Sequence, residues 1–93
     1  MRPRRRCRIQ FCPPSSYFVP AGIAQRDLKV IELDAEEAEA LRLRNIVGLD
    51  QTKAAGKMGV SQSTYQRILT AANRKVTEAL MGGKAIKIKT KNI

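Results

Sequence analysis

Apolar residues recur at intervals of three and four positions through residues 62–81, which is the spacing of one face of an α-helix. The residues of this face are Tyr65, Ile68, Leu69, Ala72 and Val76. Ser61 precedes the stretch, where its hydroxyl can accept a hydrogen bond from an unpaired backbone N–H, and Gly82 and Gly83 follow it. The pattern predicts a long helix over residues 62–81.

Two shorter helices are predicted before the long one. Asp34 and Glu37 have the spacing of a capping box, which predicts a helix from about residue 35 to residue 45 that Gly48 breaks. Asp50 can cap a second helix over residues 51–58. The part of the chain that carries most of the periodic signal is therefore expected to contain three helices.

The spacing of small and apolar residues through residues 51–68 is the signature of a helix-turn-helix. Ala55 is small where the second helix would pass close to the first, and Gly59 can adopt the positive φ that a short turn requires. Four apolar residues are placed to fill the angle between the two helices: Met58, Val60, Tyr65 and Ile68. An ordinary helical hairpin with a solvated polar face is the alternative interpretation.

Alternating patterns at the two ends of the chain predict short β-strands. Ile and Lys alternate in residues 85–89, which is typical of an edge strand with one solvated face, and residues 8–12 also alternate before Pro13 and Pro14. The N-terminal strand is the expected partner of the C-terminal one, from the same chain or from a second copy. Residues 28–33 form a short apolar run that is expected to be extended.

The predicted fold is mainly α, with a trihelical helix-turn-helix core and short N-terminal and C-terminal strands that pair within one chain or between two chains. Residues 1–33 are assigned to a basic arm, a short strand and a packed loop, residues 34–83 to the helix-turn-helix domain, and residues 84–93 to a basic C-terminal strand and tail.

Charge favours a polyanionic partner. The 93 residues include 18 basic and 8 acidic side chains and no His, which gives a formal net charge of +10. Five of the eight acids lie in residues 32–39, whereas residues 51–77 contain none. The predicted helix-turn-helix is thus the purely basic part of the chain, as contact with phosphates requires. Ribosomal proteins and membrane-surface proteins share the overall charge balance.

The polar face of the long helix carries side chains that can read the edges of bases. Gln pairs bidentately with adenine and Arg with guanine, and Ser contacts either bases or phosphates. The predicted base contacts are Gln62, Ser63, Gln66 and Arg67, and the predicted phosphate contacts are Lys53, Lys57, Ser61, Thr70 and Arg74. An N-terminal arm of Arg2, Arg4, Arg5 and Arg6 is predicted to enter a minor groove. A flexible solubilising tail is the alternative for the arm.

No catalytic constellation is recognisable. The chain has no His and no glycine-rich phosphate loop, so an enzyme is not expected, and no cofactor is predicted. Cys7 and Cys12 alone cannot complete a four-ligand zinc site, although two chains together could supply four thiolates. Free thiols in a reducing compartment are the favoured interpretation, and a metal or redox site between subunits is the alternative.

No stretch approaches the roughly 18 apolar residues that a membrane span requires, and the N-terminus lacks an apolar signal core. The sequence therefore predicts a cytoplasmic protein without a membrane partner.

Four motifs extend over nearly the whole chain. They are Cys7-Arg8, Phe18-Val19-Pro20-Ala21-Gly22, Glu39-Ala40-Leu41-Arg42-Leu43, and Gly59-Val60-Ser61 followed by Thr64, Tyr65, Arg67, Ile68 and Leu69. In this combination the chain resembles an uncharacterised prokaryotic family of small predicted DNA-binding proteins, and its helical part is similar to the promoter-reading fourth region of bacterial sigma factors. The resemblance implies a helix-turn-helix fold and a DNA-binding role. One departure is Lys53, since the relatives usually carry acidic residues in the second helix.

The leading hypothesis is a sequence-specific double-stranded DNA-binding protein that regulates transcription as a homodimer. Two alternatives come from other functional classes: a protein-interaction module that docks on the transcription machinery, and a general nucleic-acid binder that prefers RNA. The dependence of binding on salt separates the first alternative from DNA binding, and competition with structured RNA separates the second.

Overall fold

The computed structural model describes residues 16–89, without the side chain of Gln25, and the following observations concern this part of the chain. Three α-helices occupy about half of it: α1 (Ala35–Leu41), α2 (Gln51–Met58) and α3 (Gln62–Gly82). A small sheet contains β1 (Tyr17–Phe18), β2 (Val30–Asp34) and β3 (Ala85–Lys89). A 3-10 turn (Gln25–Asp27) precedes β2, and a π-helical segment (Arg42–Val47) continues α1. The fold is therefore mainly helical with a three-stranded sheet.

The helix starts lie where the capping residues predict them. The Glu37 carboxylate accepts a hydrogen bond of 2.9 Å from the backbone N–H of Asp34, which is the capping-box contact at the start of α1. The Asp50 carboxylate accepts one of 2.8 Å from the N–H of Lys53 at the start of α2. The Ser61 hydroxyl accepts one of 3.1 Å from the N–H of Thr64 at the start of α3. Each cap satisfies a backbone donor that the helix itself leaves unpaired.

The helix ends agree with the sequence for α2 and α3 and differ for α1. The predicted helix over residues 35–45 changes from α-helical to π-helical winding after Leu41 and reaches Val47, where Gly48 ends it with a φ of +86°. A π-helical turn bonds each N–H to the carbonyl five residues back instead of four, so it widens the helix locally. Side-chain periodicity does not report such a change in winding, so the π-helical segment could not be predicted from it.

The C-terminal strand lies in the middle of the sheet, and its prediction as an edge strand was wrong. β3 pairs with β2 in parallel and with β1 in antiparallel orientation. The alternation of Ile and Lys arises because one face of the sheet is covered and the other is not: Ile86 and Ile88 are half-buried, whereas Lys87 and Lys89 are exposed. Alternation reports the covered face of a strand and not its position in the sheet. The predicted partner strand, residues 8–12, lies outside the described residues.

Two groups of buried side chains hold the helices and the sheet together. The larger one contains residues of α1, the π-helical segment, α2 and the first half of α3: Ala40, Leu43, Ala54, Ala55, Met58, Tyr65 and Leu69. The smaller one includes Leu33 of β2, Ala79 of α3 and Ala85 of β3. α3 thus packs against the other helices through its N-terminal half and against the sheet through its C-terminal half.

An ion pair joins the start of α1 to the middle of α3. The ammonium of Lys75 lies 2.8 Å from the carboxylate of Glu37, which is also the capping-box acceptor and is largely buried. The hydrogen bond from Lys75 to Glu37 raises the pKa of Lys75, against the opposing effect of burial. A second carboxylate, that of the buried Glu39, accepts two hydrogen bonds from the guanidinium of Arg42. These contacts place two of the acids of α1 against the body of the fold.

Candidate nucleic-acid interface

The turn between α2 and α3 determines how α3 is presented. Gly59 has a φ of +73°, which is a conformation that side chains with a Cβ rarely adopt. The N–H of Val60 donates to the carbonyl of Ala55 at 3.1 Å, and the N–H of Gly59 donates to the carbonyl of Gly56 at 3.2 Å. Ala55 is only 3% exposed, as expected of a small residue at a close approach of two helices. The turn thereby begins α3 directly beside the end of α2.

Buried contacts along one face of α3 fix which face points outward. Tyr65 and Ala72 are fully buried and Leu69 nearly so. The hydroxyl of Tyr65 donates a hydrogen bond of 2.9 Å to the carbonyl of Ala40, which anchors α3 to α1. Ser63 and Arg67 project from the opposite side of α3 and Gln62 and Gln66 from its flank, so this anchoring leaves all four at the surface.

The structure places all nine predicted DNA contacts within the described residues at the surface. The four predicted base contacts, Gln62, Ser63, Gln66 and Arg67, are exposed, as are the five predicted phosphate contacts, Lys53, Lys57, Ser61, Thr70 and Arg74. None of them is packed into the fold. Gln62, Gln66, Thr70 and Arg74 follow one another at intervals of four along α3, so they form a single ridge.

Hydrogen bonds connect neighbouring side chains of this surface. Gln66 donates to the hydroxyl of Thr70 at 3.3 Å, one turn further along α3. Thr52, near the start of α2, donates to the side-chain oxygen of Gln62 at 3.4 Å. The first turns of α2 and α3 are therefore adjacent, and Thr52 is a surface residue of this site that the sequence analysis did not single out. Since Thr52 and Gln62 are separated by a helix and a turn, only the fold shows their contact.

Ser61 uses its hydroxyl to cap α3. Its oxygen accepts from the N–H of Thr64 at 3.1 Å, and its proton is donated to the Thr64 hydroxyl at 2.9 Å. The Ser63 hydroxyl lies 3.3 Å away. A hydroxyl has one proton, so a phosphate could receive it from Ser61 only if the contact to Thr64 were given up. The geometry thus assigns Ser61 first to the helix start.

The surface is basic, although Asp50 caps α2 beside Lys53 and Glu78 lies one helical turn from Arg74. No described carboxylate lies within 4 Å of the charged atoms of Lys53, Lys57, Arg67 or Arg74. The first turn of α3 contains no acid, so the partial positive charge of the helix N-terminus adds to that of the side chains. The arrangement can attract a polyanion to the start of α3.

Other predicted site residues lie outside the described part of the chain. These are the arm residues Arg2, Arg4, Arg5 and Arg6 and the two cysteines, Cys7 and Cys12. Over residues 16–89, no three side chains of His, Cys, Asp or Glu are placed so that they could share a metal ion. No helix in the same range is both long and apolar enough to cross a bilayer.

Within residues 16–89, the architecture is that of three α-helices with a mixed three-stranded sheet and an exposed basic start of α3. Over residues 1–93 the chain matches the model of a family described as "Protein of unknown function DUF134", and it belongs to this uncharacterised prokaryotic family. No solved structure shows significant similarity to the chain.

Curated relatives carry the family name UPF0251 protein. The chain is 46% identical over 86 residues to the protein of Halothermothrix orenii, which covers 92% of the chain and 64% of the relative. The chain is 46% identical over 91 residues to the protein of Desulforudis audaxviator, and the match covers 98% of the chain and 60% of the relative. Identity to the protein of Clostridium beijerinckii is 45% over 87 residues, and the match covers 94% of the chain and 59% of the relative. The chain thus spans less than two thirds of the length of these relatives.

Proposed function

We propose that this chain is a sequence-specific double-stranded DNA-binding protein that regulates transcription, acts as a dimer and reads the major groove with α3. In this proposal α2 and α3 form a helix-turn-helix. The observation that carries it is the combination of an anchored helix with an exposed polar and basic surface: Tyr65 is fully buried, whereas Gln62 and Gln66 on the flank of α3 and Arg67 on its opposite side are exposed. A helix presented in this way fits the dimensions of the major groove.

Base readout is assigned to the exposed side chains of the first two turns of α3. Gln62 and Gln66 have the amide geometry that recognises adenine, and Arg67 has the two parallel donors that recognise guanine. Ser63 adds a hydroxyl that serves as donor or acceptor. The hydroxyl of Thr52 donates to the side-chain oxygen of Gln62, and in this proposal that contact orients the Gln62 amide toward the base.

Phosphate contacts are assigned to Lys53 and Lys57 of α2, to Arg74 and Thr70 of α3, and to the backbone at the start of α3. The N–H groups of Gln62 and Ser63 lie in the first turn, where a helix offers unpaired donors to an anion. With the hydroxyl of Ser61 engaged by Thr64, its predicted phosphate contact becomes an indirect one, because the cap keeps that turn in place. These contacts supply affinity without sequence preference.

Selection of bound sites from a random duplex pool tests the proposal directly. Enrichment of a defined motif, followed by tighter binding of that motif than of scrambled duplex at the same salt concentration, is the expected result. A structured RNA of equal length serves as competitor. Binding without an enriched motif, or displacement by RNA as effective as displacement by duplex DNA, would contradict the proposal. No detectable binding to any nucleic acid would favour docking on the transcription machinery instead.

A further inference from the structure

The two exposed glutamines at the start of α3 form side-chain hydrogen bonds of opposite sense. The Oε1 atom of Gln62 accepts from the hydroxyl of Thr52 at 3.4 Å. The Nε2 group of Gln66 donates to the hydroxyl of Thr70 at 3.3 Å. Because the oxygen and the nitrogen of an amide point in different directions, each contact turns one end of the amide toward a threonine and the other end away from it.

The positions of the two threonines in their helices account for this difference. Thr70 lies inside α3, where a Thr hydroxyl commonly donates its proton to the backbone carbonyl one turn earlier and keeps its oxygen as an acceptor. Thr52 is the second residue of α2, so no residue of that helix lies one turn before it. Its proton is therefore free to be donated, and the Gln62 oxygen receives it.

The remaining ends of the two amides offer different chemistry to a ligand. Among residues 16–89, no hydrogen bond engages the Nε2 group of Gln62 or the Oε1 atom of Gln66, and both side chains are exposed. An amide nitrogen carries two donor protons, whereas an amide oxygen carries only acceptor lone pairs. The start of α3 therefore presents two donors and, one turn further on, an acceptor.

We propose that Gln62 reads a hydrogen-bond acceptor on one base and that Gln66 reads the amino group of another, with Thr52 and Thr70 as the positioning residues that fix these two roles. The inference deepens the proposed DNA-binding function and rests on it. An amide that recognises adenine bidentately uses its oxygen and its nitrogen together. Here a threonine holds one end of each amide, so each glutamine contributes one sense of hydrogen bond to the base that it contacts.

The major-groove edges of the bases then assign a partner to each glutamine. Guanine presents only acceptors there, N7 and O6, so it is the base that suits the two donors of Gln62. Adenine presents an amino group at N6 and cytosine presents one at N4, so one of these two bases is the partner of Gln66. One helical turn measures about 5.4 Å and one base-pair step about 3.4 Å, which places the two bases within about two base pairs of each other.

Selection of bound sites from a random duplex pool, followed by titration of two variants, tests the assignment. Gln62→Glu and Gln66→Glu each replace the amide nitrogen by an oxygen, so only acceptors remain, and each adds one negative charge to the same ridge. The added charge weakens both variants, which makes each the control of the other, but only Gln62→Glu also loses the group that contacts the base. On the wild-type motif, Gln62→Glu is therefore expected to bind at least about 10-fold more weakly than Gln66→Glu.

Variants of Thr52 test whether this residue acts through Gln62. Thr52→Val keeps the shape of the side chain and removes its hydroxyl, so the Gln62 amide can turn and use both of its ends. The preferred base at its position is then expected to change from guanine to adenine. Thr52→Ser keeps the hydroxyl and is expected to retain guanine. A merely structural role of Thr52 would lower affinity for every duplex without changing the preferred base, and urea unfolding verifies that both variants are folded.

The outcomes separate this inference from the function on which it rests. An enriched motif with equal losses in Gln62→Glu and Gln66→Glu would overturn the inference and leave sequence-specific DNA binding in place. The same holds for a motif whose bases are identical for the wild-type chain and Thr52→Val. If no motif is enriched by the wild-type chain, the proposed function fails, and both base assignments fail with it.

Discussion

The hydroxyl of Tyr65 donates a hydrogen bond of 2.9 Å to the backbone carbonyl of Ala40. The two residues are 25 positions apart and both fully buried. Their contact lies one residue before the end of α1, close to the point where α-helical winding gives way to the π-helical segment. It anchors the buried face of α3, while the predicted base contacts of that helix are exposed.

Replacing Tyr65 by Phe should lower the free energy of unfolding by about 1–2 kcal/mol, because the buried carbonyl of Ala40 would lose its side-chain donor. Urea unfolding monitored by circular dichroism measures the change. An unaltered midpoint would show that the carbonyl finds another donor and that this contact does not anchor α3.

Two ion pairs of equal length are expected to differ in their contribution to stability. The pair of Lys75 with Glu37 and that of Lys84 with Glu78 both measure 2.8 Å, but Glu37 is largely buried and Glu78 is exposed. Lys75→Met should destabilise the fold by about 1–3 kcal/mol, since it leaves a buried carboxylate without its cation. Glu78→Gln is the control and should leave the unfolding midpoint unchanged. Equal losses in the two variants would show that burial is not the deciding factor.

Stability should decrease in alkaline solution. Burial raises the pKa of Tyr65, with a smaller opposing effect of Arg44, and the hydrogen bond to Glu37 raises the pKa of Lys75. A group whose pKa is higher in the folded state stabilises the fold fully below its unfolded pKa and loses this effect as the pH rises through the folded value. The unfolded values are about 10 for Tyr and about 10.4 for Lys, so the free energy of unfolding should fall above about pH 10.

Urea midpoints measured from neutral to alkaline pH test this dependence. The variant Tyr65→Phe lacks one of the two titrating groups, so its decline should be shallower than that of the wild-type chain. A decline of the same steepness in both would exclude Tyr65 as a contributor.

Replacing either of two glycines three positions apart by alanine should change the stability of the fold, but in opposite directions. Gly56 is exposed within α2 and an added Cβ meets open space, so Gly56→Ala should stabilise the fold by about 0.5–1 kcal/mol. Gly59 has a φ of +73°, and Gly59→Ala should destabilise it by about 1–2 kcal/mol. Thermal unfolding of both variants provides the comparison. Destabilisation by both would mean that α2 tolerates no change near the turn.

Arg67 and Lys57 should affect DNA binding differently. Arg67→Ala should reduce the free energy of binding to the selected motif by about 1–3 kcal/mol and relax the sequence preference at one base pair. Lys57→Ala should weaken binding to all duplexes similarly and reduce the slope of the logarithm of the binding constant against the logarithm of salt concentration by about one. Titrations at several salt concentrations measure both effects. Arg26→Ala serves as control, because Arg26 is exposed on the 3-10 turn, which lies near the C-terminal end of α3. Equal losses for Arg67→Ala on motif and random duplex would contradict its assignment to base readout.

Much of the helical part was predictable because the signals are local. Each helix start has a capping hydrogen bond between residues three positions apart, at Asp34, Asp50 and Ser61. The spacing of these residues in the sequence therefore predicts where each helix begins. Gly48 and Gly59 mark helix ends because only a positive φ allows the chain to turn there. The exposure of Arg67 follows from the periodicity of the apolar residues on the opposite face of α3.

By itself, then, the sequence determined the three helix starts, the turn between α2 and α3 and the polar face of α3, since backbone hydrogen bonds and side-chain periodicity act over a few residues. The tertiary structure alone decided that β3 lies between β1 and β2, that α1 continues as a π-helix and that Lys75 meets Glu37. The strand pairs and the pair of Lys75 with Glu37 join residues that are 38 or more positions apart. Local sequence spacing does not show which of several distant residues will become the partner.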